Sequence, residues 1–342
     1  MQNSSSSSLL DVESNMAEKD DETKPEKETS YFKLIYCFLG IFVCYLFFGI
    51  FQEKITRSNY GSEDNPERFT FFYCLVLAPC FFNAIFAKGV LLATETQKDT
   101  TPQSMYAICS ISYLGAMVAS NAALKYVSYP FQVLGKACKP IPVMILGVLL
   151  ARKQYPLLKY LCVLLIVVGV ATFMYNKEKS KAKEGDDHII GVGEMLVCLS
   201  LLLDGLTGVF QERMRSSSKP NPHQMMFSTN FWSILYLSAV SLITGEIFSF
   251  VEFVLRYPYL IWDLLMFGCT SALGQNFIFT TVATFGPLTC SIMTTTRKFF
   301  TILGSVIIFA NPLTERQWVG VVLVFTGLLL DVKFGKSKNK AK

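Results

Sequence analysis

Four cations stand inside apolar runs long enough to cross a bilayer. In "VLGKACKPIPVM", Lys136 and Lys139 lie three residues apart, so on a helix they share one face. Pro140 and Pro142 follow directly and free backbone carbonyls nearby. In "CSIMTTTRKFFTIL", Arg297 and Lys298 sit well inside another apolar run. A cation at the bilayer centre costs about 2.5–3.5 kcal/mol on insertion scales, so four cost on the order of 10 kcal/mol unless compensated. Compensation means a water-filled cavity, a partner anion, or both.

The acids inside the apolar runs do not balance these charges. Asp204, in "LLLDGLTG", lies within its run, whereas Glu53 and Glu212 fall at run ends. A ligand bringing two or more negative charges makes up the deficit, and Arg with Lys suits phosphate: Arg by its bidentate fork, Lys as a mobile point charge. Snorkelling to an interface is the alternative. It fits Lys139 poorly, because about ten apolar residues follow it before the next loop. Asn121, Gln132, Tyr113, Gln275, Asn276 and Thr294 to Thr296 are neutral groups able to complete a pocket, although each also reads as a polar contact between helices.

Ten apolar segments position these groups: roughly 33–51, 69–92, 104–126, 131–150, 157–175, 192–210, 225–244, 259–282, 287–309 and 317–332. With 51% hydrophobic and 17% charged residues in 342, the chain leaves no room for a separate soluble catalytic domain. It has no GxxxxGK[ST] loop, HExxH helix or GxGxxG turn, so we expect no enzyme, no metal and no cofactor, and no nucleic-acid partner. His188 and His223 fall in loops, and the ten cysteines read as small packing residues.

The chain repeats itself. "GIFQEKITR" from Gly49 returns as "GVFQERMRS" from Gly208, an offset of 159. The same offset carries Ser112, Leu114 and Gly115 onto Ser271, Leu273 and Gly274, and Lys139 onto Lys298. With one residue lost, Val163, Leu165 and Gly169 land on Val321, Leu323 and Gly327. An odd number of spans per half makes the halves inverted. The expected fold is therefore all-α: a polytopic membrane protein of ten transmembrane helices in two inverted five-helix repeats, 31–175 and 192–332, with the substrate site between them at the midplane.

Residues 1–30, Ser-rich and then acidic, are expected to be a disordered cytosolic tail. Residues 176–191 form a charged lumenal linker and 333–342 a basic cytosolic tail, because Arg152, Lys153, Arg213, Arg215 and Lys219 favour the cytosol on the side of both termini. In the repeat, Glu53 with Lys54 and Glu212 with Arg213 become gate or coupling pairs at opposite mouths, each closing against basic residues. The end, "KNKAK", places Lys338 and Lys340 at spacings that resemble a dilysine retrieval signal read by the COPI coat on endoplasmic reticulum proteins.

The runs "FVCYLFFGIFQEKITR", "CSISYLGAMVASNAAL", "QVLGKACKPIPVM", "LDGLTG" and "GPLTCSIMTTTRKFFTIL" closely resemble the nucleotide-sugar transporter family of solute carriers, within the drug/metabolite transporter superfamily. The resemblance implies an antiporter of the endoplasmic reticulum membrane that exchanges cytosolic ATP for lumenal ADP. It also implies that Lys136, Lys139, Arg297 and Lys298 bind phosphates and that Glu53 takes part in the gate. UDP-galactose or UDP-glucose exchange for UMP is the alternative within the class, and a non-transporting membrane scaffold or receptor the alternative outside it.

Overall fold

The computed structural model describes residues 31–56, 58–61, 67–94, 98–123, 126–127, 132, 135–174, 190–308 and 314–334. The expected acidic N-terminal tail, nearly all of the charged linker and the dilysine at Lys338 and Lys340 lie outside them.

The described chain is almost entirely helical. Helix α1 (Tyr31–Thr56) runs from one face of the molecule, here the Tyr31 face, to the opposite Thr56 face. There a two-stranded hairpin, β1 (Asn59–Tyr60) and β2 (Glu67–Arg68), pairs Asn59 with Arg68 and Tyr60 with Glu67. Then come α2 (Phe72–Ala93), α3 (Gln103–Ala123), α4 (Pro140–Leu149), α5 (Leu157–Met174), α6 (Ile190–Ser217) and α7 (Pro222–Ile243). A short α8 (Glu246–Arg256) precedes α9 (Leu260–Phe285), α10 (Pro287–Ile308) and α11 (Glu315–Phe334). Five of these helices, α1, α2, α3, α6 and α7, are long and apolar enough to cross a membrane.

Local chemistry sets the boundaries. Asn221 caps α7 reciprocally with Gln224: its side chain accepts from His223 N, while Gln224 accepts from Asn221 N, with Pro222 at the first helical position. Gly286, at φ +93°, separates α9 from α10, a conformation that glycine adopts without steric cost.

Antiparallel packing dominates. α5 lies along α11, α3 along α6, α2 along α7, and α1 along α9. The surface is apolar in the way lipid requires: Ile85, Leu157 and Ile243 are largely exposed, whereas Asn83, Asn230, Ser110 and Ser200 are buried. The buried polar groups are joined across helices, Asn83 Nδ2 to Asn230 Oδ1 at 3.2 Å, Asn230 Nδ2 to Gln275 Oε1 at 2.6 Å, and Ser200 Oγ to the Ala116 carbonyl at 2.6 Å.

Neither the β1–β2 hairpin nor α8 is expected from the apolar runs. α8 is too short to cross a bilayer; it presents Phe248, Val251 and Leu255 outward and buries Phe253 against Tyr60 and Phe69 of the hairpin segment. Its Glu246 accepts from Cys74 N in the first turn of α2, satisfying a helix-end donor from another element.

Candidate functional site

Lys136 and Lys139 converge on Asp204. Lys136 Nζ stands 2.7 Å from Oδ2 and Lys139 Nζ 3.0 Å from Oδ1, so the carboxylate takes one lysine on each oxygen. Asp204 is buried, while Lys136 is slightly and Lys139 about a third exposed. The backbone that aims both lysines follows from the two prolines. Pro140 and Pro142 cannot donate to the Lys136 and Cys138 carbonyls, and these accept instead from Lys139 N and Ile141 N three residues on, a tighter turn than the α-helix.

Asp204 reaches them because α6 comes unusually close to α4. A Cβ on Gly205 would lie 2.7 Å from Leu146 Cδ1 and 3.1 Å from the Pro142 carbonyl carbon and oxygen; on Gly208 it would lie 3.1 Å from Val143. The "DGLTG" spacing thus brings the carboxylate to the lysines. Gly205→Val is expected to push α6 off α4, break both ion pairs and lower the melting temperature in detergent by several degrees. The equivalent change at Gly49, whose Cβ would meet nothing within 4 Å, is expected to leave it unchanged.

Arg297, on α10, lies with its guanidinium 5.3 Å from the centroid of the Tyr45 ring, and its Nε has no hydrogen-bond partner among the described residues. Lys298 next to it stands within electrostatic reach of Arg297, Lys139, Lys136 and Asp204, so the four cations form one cluster. One carboxylate among four cations leaves the cluster strongly positive.

Tyr45 is also the link to a cavity of about 440 Å³. Its walls combine rings, Tyr45, Phe48, Phe72, Tyr113 and Phe267, with amides, Gln52, Asn83, Asn121 and Gln275. The cavity extends towards the Thr56 face through Gln52 and Thr56 near the end of α1. Of the polar candidates, Tyr113, Asn121 and Gln275 therefore line it. Gln132 donates instead to the Ser120 carbonyl and hydroxyl, at 3.0 and 2.8 Å, and Thr294 donates to the Ser291 carbonyl of its own helix.

The two faces differ. At the Thr56 face Lys54 pairs with Asp263 at 2.7 Å but stays more than half exposed. Nearby, burial and then the charge of Asp263 push the Tyr60 hydroxyl up to about 12, and this hydroxyl donates to the Ile55 carbonyl at 2.9 Å. At the Tyr31 face Glu212 is buried, and its Oε1 accepts from Lys153 Nζ at 2.7 Å and Arg215 Nη1 at 3.3 Å. Arg215 also donates to the carbonyls of Ala283 and Thr284 at the end of α9. Arg213, next to Glu212 in sequence, donates instead to the Leu150 carbonyl. A residue one step along a helix points about 100° away, whereas one three steps along shares the face.

Asp263, Lys153, Arg215 and Tyr45, which the structure brings against these groups, are not among the candidate site residues read from the sequence. Only Arg215, at i+3 from Glu212, carried a local signal. Among the described residues no group of three or more His, Cys, Asp or Glu side chains is placed to hold a metal ion.

Residues 33–335 match the UAA transporter family. The chain is 59% identical over 309 residues to "Solute carrier family 35 member B1" of Gallus gallus, covering 90% of this chain and 94% of that protein. It is 58% identical to the protein of that name in Bos taurus, at 90% and 95% coverage, and 48% identical to the Drosophila melanogaster homolog, at 87% and 89%. A solved crystal structure at 10% identity superposes with a TM-score of 0.63 over 88% of this chain and 96% of the other, a likeness of fold alone.

Proposed function

The chain belongs to the UAA transporter family, and on that premise we propose that it is a nucleotide antiporter of the endoplasmic reticulum membrane, exchanging cytosolic ATP for lumenal ADP. The observation that carries this reading is the cluster of Lys136, Lys139, Arg297 and Lys298 against the single carboxylate of Asp204, beside a cavity walled by rings and amides. The excess charge suits the roughly three to four negative charges of ADP and ATP better than the two of a nucleotide sugar. The rings suit a base, which stacks on aromatic faces.

The proposed architecture is ten spans in two inverted repeats, and the packing of the glycines supports it. At Gly115 a Cβ would meet Leu203; at Gly274 it would meet Cys44, which is Leu203 carried back by 159. At Gly169 it would meet the Gly320 carbonyl oxygen and the Val324 nitrogen; at Gly327 it would meet the Cys162 oxygen and the Ile166 nitrogen, the same atoms under the offset of 158. Contacts that exchange in this way are what a pseudo-two-fold axis produces.

In this reading the Glu212 cluster with Lys153 and Arg215 is the closed cytosolic gate, and the cavity towards the Thr56 face is the lumenal access. Glu53 and Lys54 belong to the lumenal gate, where Lys54 holds Asp263. Both termini are placed in the cytosol, where the COPI coat would read Lys338 and Lys340.

Counterflow tests the reading. Proteoliposomes preloaded with ADP are expected to take up labelled ATP many times faster than empty ones. Equal uptake from both would sink it. Stimulation by preloaded UMP with labelled UDP-galactose or UDP-glucose, but not by ADP, would transfer the site to nucleotide sugars.

A further inference from the structure

The gate residues at the Tyr31 face also line a second pocket of about 420 Å³, to which the exchange reading assigns no ligand. Lys153, Arg215 and Lys219 line it, with Glu212 as the carboxylate between them. Both Lys153 and Arg215 converge on the same oxygen, Oε1 of Glu212, at 2.7 and 3.3 Å.

The backbone carries an independent mark at the same mouth. Among the described residues two non-glycine positions have positive φ, Arg152 at 51° and Lys219 at 47°. Both are cations, and both turn the chain where a helix ends. Lys219 closes α6, its N–H returning to the Met214 carbonyl at 3.1 Å; Arg152 follows α4 and precedes Lys153, whose N–H returns to the Gly147 carbonyl at 3.0 Å. Left-handed positions after helices go by default to glycine, which has no Cβ to clash. Here the chain accepts the steric cost twice, and each turn sets a lysine at this pocket.

We propose that this pocket is a docking site for a polyphosphate anion, distinct from the central cluster, and that its occupation unlatches the gate. Phosphate oxygens accept the N–H donors of Lys153 and Arg215 that now go to Glu212 Oε1, with Lys219 supplying a third cation. Once Arg215 turns to the anion, its bonds to the Ala283 and Thr284 carbonyls, which tie α6 to the end of α9, are released. The proposal rests on the nucleotide reading for the identity of its natural ligand, but not for the binding itself.

The test uses the purified full chain and inorganic triphosphate as the probe. In Lys139→Ala/Arg297→Ala, which disables the central cluster, triphosphate is expected still to raise the melting temperature. Adding Lys219→Asn, a residue that tolerates the left-handed backbone, is expected to weaken that binding by roughly tenfold. No residual shift in the double variant, or a shift that survives Lys219→Asn, overturns the proposal. Since removing two central cations also alters the core, Lys219→Asn alone provides a second measure: calorimetry is expected to lose the weaker of two triphosphate sites, and an unchanged two-site isotherm overturns the proposal. Nanodiscs of phosphatidylcholine, with and without phosphatidylserine, separate a soluble anion from a lipid headgroup. An unchanged shift assigns the pocket to the soluble anion, and a shift abolished by phosphatidylserine refutes it. Failed counterflow with intact triphosphate binding would remove the exchange reading and leave this site standing.

Discussion

Asp204→Asn is expected to destabilise the protein by about 3 kcal/mol, the lower end of the range for stripping a buried ion pair of one partner. The lower end applies because Lys139 is about a third exposed and retains some solvent, while Lys136 is mostly buried. The loss arises less from the two missing bonds than from two cations left without a counterion in a medium that solvates them poorly. The same argument gives the change a second signature. A polyphosphate that occupies the cluster now supplies the only compensating charge, so the thermal shift on adding ATP should exceed that of the wild type. Lys136→Met on the Asp204→Asn background removes one of the stranded cations and is expected to recover part of the stability. Melting curves of the three proteins, each with and without ATP, measure this. Asp204→Asn with wild-type stability and a wild-type ATP shift would show that the carboxylate is not what holds Lys136 and Lys139.

Much of this site could be read from residue types alone, since a cation within an apolar run is costly wherever the chain takes it. Lys136, Lys139, Arg297 and Lys298 stand out for that reason, and α10, which carries Arg297 and Lys298, follows from run length, whereas Lys136 and Lys139 precede the short α4. What composition does not carry is the pairing. Asp204 is 65 residues beyond Lys139, and only the approach of α6 to α4 at Gly205 brings them together. Tyr45 beneath Arg297 looks like any other ring in a chain with 29 Phe and 15 Tyr, so nothing in its neighbourhood singles it out. The pairing of Glu212 is a subtler case. Sequence proximity favours Arg213, while helix geometry favours Arg215, and Lys153 enters from the far end of α4. α8 escapes because an 11-residue helix with Glu246, Glu252 and Arg256 reads as a loop when only runs long enough for a bilayer are sought.

Arg297→Lys is expected to lower kcat/KM for ATP exchange by about 10- to 100-fold, although it preserves the charge. The guanidinium offers a planar fork and stacks on the Tyr45 ring at 5.3 Å; a compact ammonium on a flexible stem offers neither. Loss of a charge-assisted hydrogen bond to phosphate is worth about 1.5–3 kcal/mol, and each 1.4 kcal/mol is tenfold in rate. If the stack is what aims the fork, Tyr45 variants must rank in a definite order. Tyr45→Phe keeps the ring face and should remain within a few-fold of the wild type, whereas Tyr45→Ala should approach Arg297→Lys. The penalty should also be greater for ATP than for ADP, because the longer phosphate chain spans more of the cluster that Arg297 shares with Lys298, Lys139 and Lys136. Counterflow kinetics with each nucleotide as the external substrate measure both comparisons. Arg297→Lys with unchanged kinetics for both nucleotides would reduce Arg297 to a point charge and leave the ring beneath it without a part in binding.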